Sequence, residues 1–277
     1  MSTVPAGRSS GAPVATDRRS VAESVMACRE RLAATHWHRP EESLAAVTEV
    51  LRRLREPACL AALISAARTD PELLGLSERR PWGDRMVVLR EPATDTRLRL
   101  QYWRGGSGDP HGRPHNHRWP FASTILHGSY EHRLYGTVDE VEARLGTGPA
   151  EPLERRTERV GSLYALTPQH VHAANAVPGT VSLLLRGPAI GTYAVRLDEG
   201  LTAFSERKRG VATESTAERP QEAFTTGTAD DLIAALAALG VLGRYQASSP
   251  VAGRSGPVAA ARPTDSDVRV GFPSGSP

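Results

Sequence analysis

The part of the chain that most restricts its fold is a succession of short strand-like segments between Pro81 and Pro188. These segments are rich in β-branched and aromatic residues, and Gly, Pro, Asp or Asn separate them, as is typical of β-strands joined by turns. At least six such runs follow one another without an intervening helical pattern: MVVL, RLRLQYW, ASTILHGSYEHRLYG, VEARL, RVGSLYAL and TVSLLLRG. We therefore predict a mainly β domain, an antiparallel sandwich or barrel.

Helical patterns flank this β region. Before it, apolar residues recur on one helical face over residues 20 to about 69, as in the series Val21, Val25, Cys28 and Leu32. After it, the run ADDLIAALAALGVLG begins near Thr228 and ends at a glycine. These patterns predict an N-terminal helical layer and a C-terminal helix that packs on the outside of the β domain.

Composition divides the chain further. The two ends are rich in Ser, Gly, Pro and Ala and show no apolar periodicity, which predicts disordered tails. The predicted organisation has five parts: a tail over 1–18, a helical region over 19–80, a β-barrel over 81–210, a linker and helix over 211–245, and a tail over 246–277.

Several classes of protein are excluded. A formal net charge of +3 does not argue for nucleic acid as a partner. No apolar run approaches the roughly 18 to 20 residues that span a bilayer, and the N-terminus has no signal-peptide core. Two cysteines, Cys28 and Cys59, are too few for a disulfide framework. We expect a cytoplasmic protein with reduced thiols, without a nucleic-acid or membrane partner.

The histidines are concentrated in the β region. Seven of the nine fall between His111 and His172, and four of them form two His-x-His pairs, His115/His117 and His170/His172. On a strand, residues i and i+2 point to the same face, so each pair can deliver two imidazoles to one point. Imidazole clusters of this kind bind first-row metal ions.

The residues around the two pairs resemble the two sequence motifs of the cupin superfamily. The first motif has the form Gly, a spacer, His-x-His and a later Gly, and it is matched by Gly108, His115, His117 and Gly128. The second has the form Gly, five residues, Pro-x-Gly-x-x-His and a later Asn, and it is matched in part by Gly161, Pro168, His172 and Asn175. The resemblance covers about residues 85 to 190 and implies a single cupin jelly roll.

One departure from the first motif bears on the metal. The family's acidic ligand would fall at Phe121 or Ala122, and neither can bind a metal ion. The resemblance thus implies a site of three histidines, His115, His117 and His172. Three neutral ligands leave a divalent ion its full charge and about three open positions. This arrangement resembles that of the thiol dioxygenases, which implies Fe(II) as cofactor and O₂ as cosubstrate.

The order of a helical layer followed by one barrel also resembles cysteine dioxygenase. In the strand where that family keeps a Ser-x-His-x-Tyr series, this chain has Ser182, Leu184 and Arg186. Because the His and the Tyr are missing, we expect that cysteine is not the substrate. Arg85 and Arg90 lie where the family keeps an arginine for the substrate carboxylate, and the sequence does not choose between them.

We therefore predict a non-haem Fe(II) dioxygenase acting on a small anionic substrate, with Arg186, Arg90 and Tyr164 as candidate catalytic residues. Arg186 is equally well explained as an exposed residue at a strand end. His170 is a fourth ligand, a proton shuttle or a surface residue, whereas His127 and His132 are more readily explained as strand residues. The alternatives are a non-redox isomerase, epimerase or lyase using Zn, Mn or Ni, and a non-catalytic binding module. Substrate identity and oligomeric state are not encoded in any pattern we recognise.

Overall fold

A computed structural model describes residues 18–105, 112–191, 193–208 and 223–243. Both predicted tails lie outside these ranges, apart from Arg18, as does most of the predicted linker. Four helices precede the β domain, one lies within it and one follows it: α1 Arg18–Ala33, α2 Pro40–Leu54, α3 Pro57–Ala67, α4 Pro71–Gly75, α5 Val138–Leu145 and α6 Thr226–Ala238. The helices expected before and after the β region are thus present.

Proline marks the start of the second, third and fourth helices. Pro40, Pro57 and Pro71 each occupy a first-turn position, where the missing N–H costs no hydrogen bond and the fixed φ suits a helix. The α4 start is also capped, because the Asp70 carboxylate accepts hydrogen bonds from the Glu72 and Leu73 amides.

Eleven strands are described: β1 Glu78–Arg80, β2 Gly83–Glu91, β3 Thr96–Trp103, β4 Phe121–His127, β5 Ser129–Thr137, β6 Glu154–Arg159, β7 Leu163–Leu166, β8 His170–Ala176, β9 Thr180–Arg186, β10 Ala194–Leu197 and β11 Phe204–Lys208. One sheet has the order β1-β2-β3-β9-β4-β7 and another the order β6-β5-β8. The pair β10-β11 joins the second sheet through His115, which bridges to both His172 and Arg196.

The strand order identifies the architecture. Eight successive strand positions make up the jelly roll: β3, the His115 bridge, β4, β5, β6, β7, β8 and β9. The first, eighth, third and sixth of these positions, which are β3, β9, β4 and β7, lie side by side in one sheet. The second, seventh, fourth and fifth form the other. This is the order of a double-sheet jelly roll, the architecture that includes the cupins. The predicted mainly β, jelly-roll fold is confirmed.

Strand β9 shows how the layers are arranged. All seven of its residues are buried, although the sheet is antiparallel. Val181, Leu183 and Leu185 belong to the core shared with the helices, whereas Leu184 belongs to a second apolar cluster on the other face. The helical layer therefore covers the outer face of the six-stranded sheet, and the inner face encloses the interior of the jelly roll.

One local prediction was wrong, and several strands were not predicted. The run VEARL forms helix α5 and not a strand, because Thr137 and Glu140 make a reciprocal capping box ahead of it. The charged segment of β6, ERRTER, pairs with β5 although its sequence carries no apolar alternation. Pairing with β5 gives this edge strand the stability that its own side chains do not. The short strand β1 also lies inside the region predicted to be helical.

Within the described residues, no helix is both long enough and apolar enough to cross a bilayer.

Candidate metal centre

Three histidines from distant parts of the chain meet inside the jelly roll. His115 forms two backbone hydrogen bonds with His172 of β8, with N···O distances of 2.9 and 2.8 Å. His117 lies two residues further on, and one ring nitrogen from each of the three histidines falls within 4.8 Å of the others. The structure thus brings together the three residues that the sequence proposed as metal ligands.

His115 and His117 are not held in place by the regular β-strand that the sequence predicted. His115 makes only isolated bridges and His117 lies outside any strand. The intervening Asn116 fixes the segment, since its side chain donates to the Pro168 carbonyl at 2.7 Å and accepts from the Val195 amide at 2.6 Å. The side-chain hydrogen bonds of the buried Asn116 thus hold the segment in place, where a regular strand was expected.

Ring orientations fit a metal ion. Nδ1 of His115 lies 2.9 Å from the Arg113 carbonyl oxygen, an acceptor, so this nitrogen carries the proton and Nε2 keeps its lone pair. Nε2 of His117 lies 3.1 Å from Nε2 of His172. Two nitrogens bound at right angles to one ion, each at about 2.1 Å, would be about 3 Å apart. The donor set therefore suits a first-row divalent ion.

Burial keeps the imidazoles of His115 and His172 neutral. Burial lowers the pKa of His115 to about 4 and that of His172 well below its ordinary range, with neighbouring cationic groups acting in the same direction. Metal binding requires the neutral ring, so at neutral pH the ligands need not lose a proton first.

No carboxylate belongs to the histidine group among the described residues. Phe121 instead places its ring 5.2 Å from that of His117 and 5.6 Å from that of His172, and Ala122 faces the core shared with the helices. The two positions at which the family's acidic ligand would fall are therefore both apolar.

A cavity of about 120 Å³ opens beside the histidines. Aromatic rings form much of its wall, two arginines and one glutamine supply polarity, and small apolar groups complete it. Its lining comprises Arg85, Arg99, Gln101, Trp103, His117, Trp119, Phe121, Tyr130, Tyr164, His172, Ala174 and Leu184.

The two cavity arginines differ in their surroundings. Arg85 pairs with Glu78 at 3.3 Å and stacks 4.5 Å above the Trp82 ring. Arg99 forms no ion pair within the described residues and lies 5.9 Å from the centre of the Trp119 ring. Burial, together with the charge of Arg186, lowers the pKa of Arg99 to about 9. Arg99 is thus a cation held in the cavity at an electrostatic cost.

Neither of the arginines proposed from sequence as catalytic lines the cavity. Arg186 is buried, bonds to Asp95 at 3.2 Å and to the Gly187 carbonyl at 2.9 Å, and has its pKa lowered to about 10 mainly by burial. Arg90 pairs with Glu72 and, at 3.4 Å, with Asp95. Their roles in substrate binding stay predictions, and the geometry favours Arg99 and Arg85 over both.

Tyr164 does line the cavity, as the sequence suggested. Its hydroxyl is hydrogen-bonded to that of Tyr130, which also lines the cavity, and burial raises the pKa of both phenols. Both phenols therefore keep their protons at neutral pH, and both residues border the space beside the histidines.

The other histidines separate into three cases. His170 is outside the ligand group, with Nδ1 2.8 Å from the Thr167 hydroxyl, and His127 contacts the Gly179 carbonyl at 3.1 Å. His111 lies outside the described residues. His132, interpreted from sequence as an ordinary strand residue, is fully buried against the candidate ligand His172, with Nε2 of His132 3.0 Å from Nδ1 of His172.

Sequence reasoning missed Arg99 and the contact of His132 with Glu158. Arg99 sits in the alternating run RLRLQYW, where period-two patterning could have placed Arg97, Arg99 and Gln101 on the face opposite the apolar one. Which of these side chains reaches the cavity depends on strand pairing, and no pattern in one sequence gives that pairing.

No protein-family model and no curated protein matches the chain. Solved structures match it in part. KdgF from Halomonas sp. is 21% identical over 40% of this chain and 86% of that chain, with a TM-score of 0.30. An uncharacterised protein with a double-stranded β-helix domain from Klebsiella pneumoniae is 15% identical over 44% and 89%, with a TM-score of 0.29. A variant of the oxalate decarboxylase OxdC from Bacillus subtilis is 17% identical over 41% and 27%, with a TM-score of 0.29.

These likenesses are partial, and the strand order carries the assignment of the fold. The chain is a single jelly roll of the type that includes the cupins, with a three-histidine group at one wall of an internal cavity.

Proposed function

We propose that this chain is a non-haem Fe(II) dioxygenase that acts on a small anionic substrate bound in the cavity beside His115, His117 and His172. One observation carries the proposal. Three imidazoles, joined by no carboxylate among the described residues, adjoin a cavity with largely aromatic walls that also holds the cation of Arg99.

The donor set supports iron and O₂ chemistry. Three neutral ligands do not reduce the charge of a divalent ion, and a three-ligand set on one side leaves room for both a substrate and O₂. When bound, Fe(II) would supply the open coordination positions and the electrons for O₂ activation. The resemblance of the sequence motifs to the thiol dioxygenases points the same way.

The size of the cavity limits the substrate. An engineered cavity of about 150 Å³ in another protein holds one benzene molecule, so about 120 Å³ corresponds to a ligand of roughly five non-hydrogen atoms. A small hydroxy, keto or thiol acid fits that limit.

The charge of the cavity specifies an anion. Lowering the pKa of Arg99 from its ordinary value to about 9 corresponds to an unfavourable free energy on the order of 4 kcal/mol for the charged side chain. A carboxylate bound against Arg99 would offset part of this cost, and the planar guanidinium can bind both carboxylate oxygens. Arg85 stands in the same wall but is already paired with Glu78.

Other cavity residues have roles that follow from their chemistry. Trp119, Phe121 and Leu184 exclude water from the space next to the histidines. The hydroxyl pair of Tyr130 and Tyr164 can donate one hydrogen bond to a substrate oxygen while keeping the other within the pair. The substrate would thus be oriented by a cation at one end and a hydroxyl at the other.

Cysteine is not expected to be the substrate. Leu184, an apolar residue in the cavity wall, holds the position where cysteine dioxygenase has the histidine of its Ser-x-His-x-Tyr series. Arg186, at the position of the tyrosine, is bonded to Asp95 and the Gly187 carbonyl. We expect little or no O₂ uptake when the iron-loaded protein is given cysteine, and rapid uptake with sulfinate formation would overturn this part of the proposal.

Anaerobic purification followed by metal analysis and an O₂ electrode tests the main proposal. We expect iron to restore O₂ consumption with a small carboxylic acid from a substrate panel, and Arg99→Met to raise KM by about tenfold or more, the equivalent of ~1.4 kcal/mol. Gln101→Leu, a change in the same wall that removes no charge, is the matched control. Iron-loaded protein that consumes no O₂ with any acid in a broad panel would contradict the proposal.

The second candidate is a non-redox enzyme, an isomerase, epimerase or lyase with Zn, Mn or Ni. The observation that favours it is the Tyr130–Tyr164 hydroxyl pair, since a phenol facing the cavity can act as a general acid. Three histidines are also a common ligand set for catalytic zinc. Zinc in the purified protein, with no O₂ uptake, would support this candidate, and absence of any bound metal would support a binding module.

A further inference from the structure

A line of buried polar side chains runs from the metal centre into the second sheet. Nδ1 of His172 lies 3.0 Å from Nε2 of His132, and Nδ1 of His132 lies 3.2 Å from Oε1 of Glu158. His132 is fully buried and Glu158 is only 6% exposed. The line ends at a carboxylate that the metal-binding group does not include.

The sheet register produces this line. Leu134 of β5 lies opposite His172 of β8, and Tyr130 of β5 lies opposite Glu158 of β6. His132 stands between Leu134 and Tyr130 on the same strand face, so it is the diagonal neighbour of both His172 and Glu158. Long side chains in diagonal positions are within reach of each other.

The carboxylate fixes the direction of the hydrogen bonds. A carboxylate oxygen accepts, so Nδ1 of His132 donates to Oε1 of Glu158. Nε2 of the neutral His132 then accepts, and Nδ1 of His172 donates to it. The proton of His172 is thereby placed on Nδ1, and the lone pair of Nε2 is directed to the side where Nε2 of His117 lies 3.1 Å away.

We propose that the Glu158–His132 pair is a positioning device that sets the tautomer and ring orientation of His172, so that Nε2 is the atom presented to the metal. The proposal deepens the proposed function, because it rests on His172 being a metal ligand. Hydrogen-bond partners behind metal-binding histidines commonly change metal affinity by about 10- to 100-fold.

Two substitutions of one residue separate this role from simple packing. His132→Leu fills the space but removes the acceptor for His172, whereas His132→Gln offers an amide oxygen that can accept from Nδ1. If the pair sets the tautomer, Zn²⁺ affinity should fall by about 10- to 100-fold in His132→Leu and recover in large part in His132→Gln. If His132 only fills the core, the apolar leucine should be tolerated at least as well as the glutamine.

The measurement is the Zn²⁺ dissociation constant of the full chain, obtained by competition with a chelating dye. His127→Leu is the matched control, because His127 also contacts its neighbour through Nδ1 but lies outside the ligand group. Glu158→Gln is the second variant if His132→Leu does not fold, and a smaller loss is expected because the amide oxygen of glutamine can still accept. Equal affinity in wild type, His132→Leu and Glu158→Gln would overturn the proposal.

A second readout does not depend on the metal. In ¹⁵N-edited NMR spectra of the metal-free protein, we expect His172 to carry its proton on Nδ1, and the His132→Leu variant to lose this preference. If wild-type protein binds no Zn²⁺ but shows the Nδ1–H tautomer, the metal site is wrong and the hydrogen-bond line is right. If His172 carries its proton on Nε2, the positioning proposal is wrong whatever the metal.

Discussion

Removing the charge of Arg99 should stabilise the ligand-free protein, which is the reverse of what most substitutions of an inward-facing residue do. The pKa of Arg99, lowered to about 9, indicates a cost on the order of 4 kcal/mol for keeping the guanidinium charged in the cavity. Arg99→Met keeps much of the side-chain volume and removes the charge. The contact with Trp119 is lost in return, at about 0.5 to 1 kcal/mol.

We therefore expect the free energy of unfolding of the Arg99→Met variant to rise by about 1 to 3 kcal/mol, measured by urea denaturation at neutral pH. For a chain of this size, that corresponds to roughly 2 to 4 °C in Tm for each kcal/mol. A small carboxylate such as glycolate should raise the Tm of the wild type and have little effect on the variant, because the anion binds the charge that the variant lacks.

Arg104→Met is the matched control. Arg104 pairs at 3.1 Å with Asp84, a carboxylate that is only 2% exposed. Without the Arg104 cation, the buried carboxylate of Asp84 is less well paired. Arg104→Met should therefore lower the free energy of unfolding by about 1 to 3 kcal/mol. The reasoning is refuted if Arg99→Met and Arg104→Met destabilise alike, or if glycolate protects the Arg99→Met variant as well as the wild type.

Three further outcomes are expected. The proposed ligands are His115, His117 and His172. Changing any one of them to alanine should remove most of the bound metal, whereas His127→Ala should keep it, as measured by metal analysis. In the metal-free protein, some histidines stay neutral in the folded state but take up protons below about pH 6.5 in the unfolded state. The free energy of unfolding should therefore fall as the pH falls from 6.5 to 4. The expected slope in urea denaturation is about 1.4 kcal/mol per pH unit for each such histidine, and a flat profile would contradict it. Gly187→Ala should cost about 1 to 3 kcal/mol, because its Cβ would lie 2.4 Å from the Trp37 ring; an unchanged Tm would show that the ring can move aside.

Local patterns were enough for much of the fold. Helical periodicity and first-turn prolines placed α2 and α3, and runs of β-branched residues placed β2, β3, β4 and β9. The pattern-based assignments failed in two segments, where residues outside the segment decided its secondary structure. The capping box at Thr137 makes VEARL a helix, and the charged β6 is a strand only because β5 lies beside it.

The proposed metal ligands were accessible from sequence for a related reason. His-x-His spacing is a local pattern and singled out His115/His117 and His170/His172, and the resemblance to the second cupin motif implied His172 as the third ligand. The expected strand geometry at the first pair is nevertheless absent, and the hydrogen bonds of Asn116 hold those two histidines instead.

The sequence by itself determined the class of fold and the two His-x-His pairs, because both follow from residues close together in the chain, and the motif resemblance added the choice of His172. Only the tertiary structure decided which cation enters the cavity and which groups stand behind the ligands. Arg99 and Arg186 are alike in sequence terms, yet Arg186 pairs with Asp95, whereas Arg99 forms no ion pair among the described residues. Likewise, Glu158 reaches His172 through His132 because three strands align in one register. Register and burial arise from contacts between distant segments, and they set the charge and proton positions on which the chemistry depends.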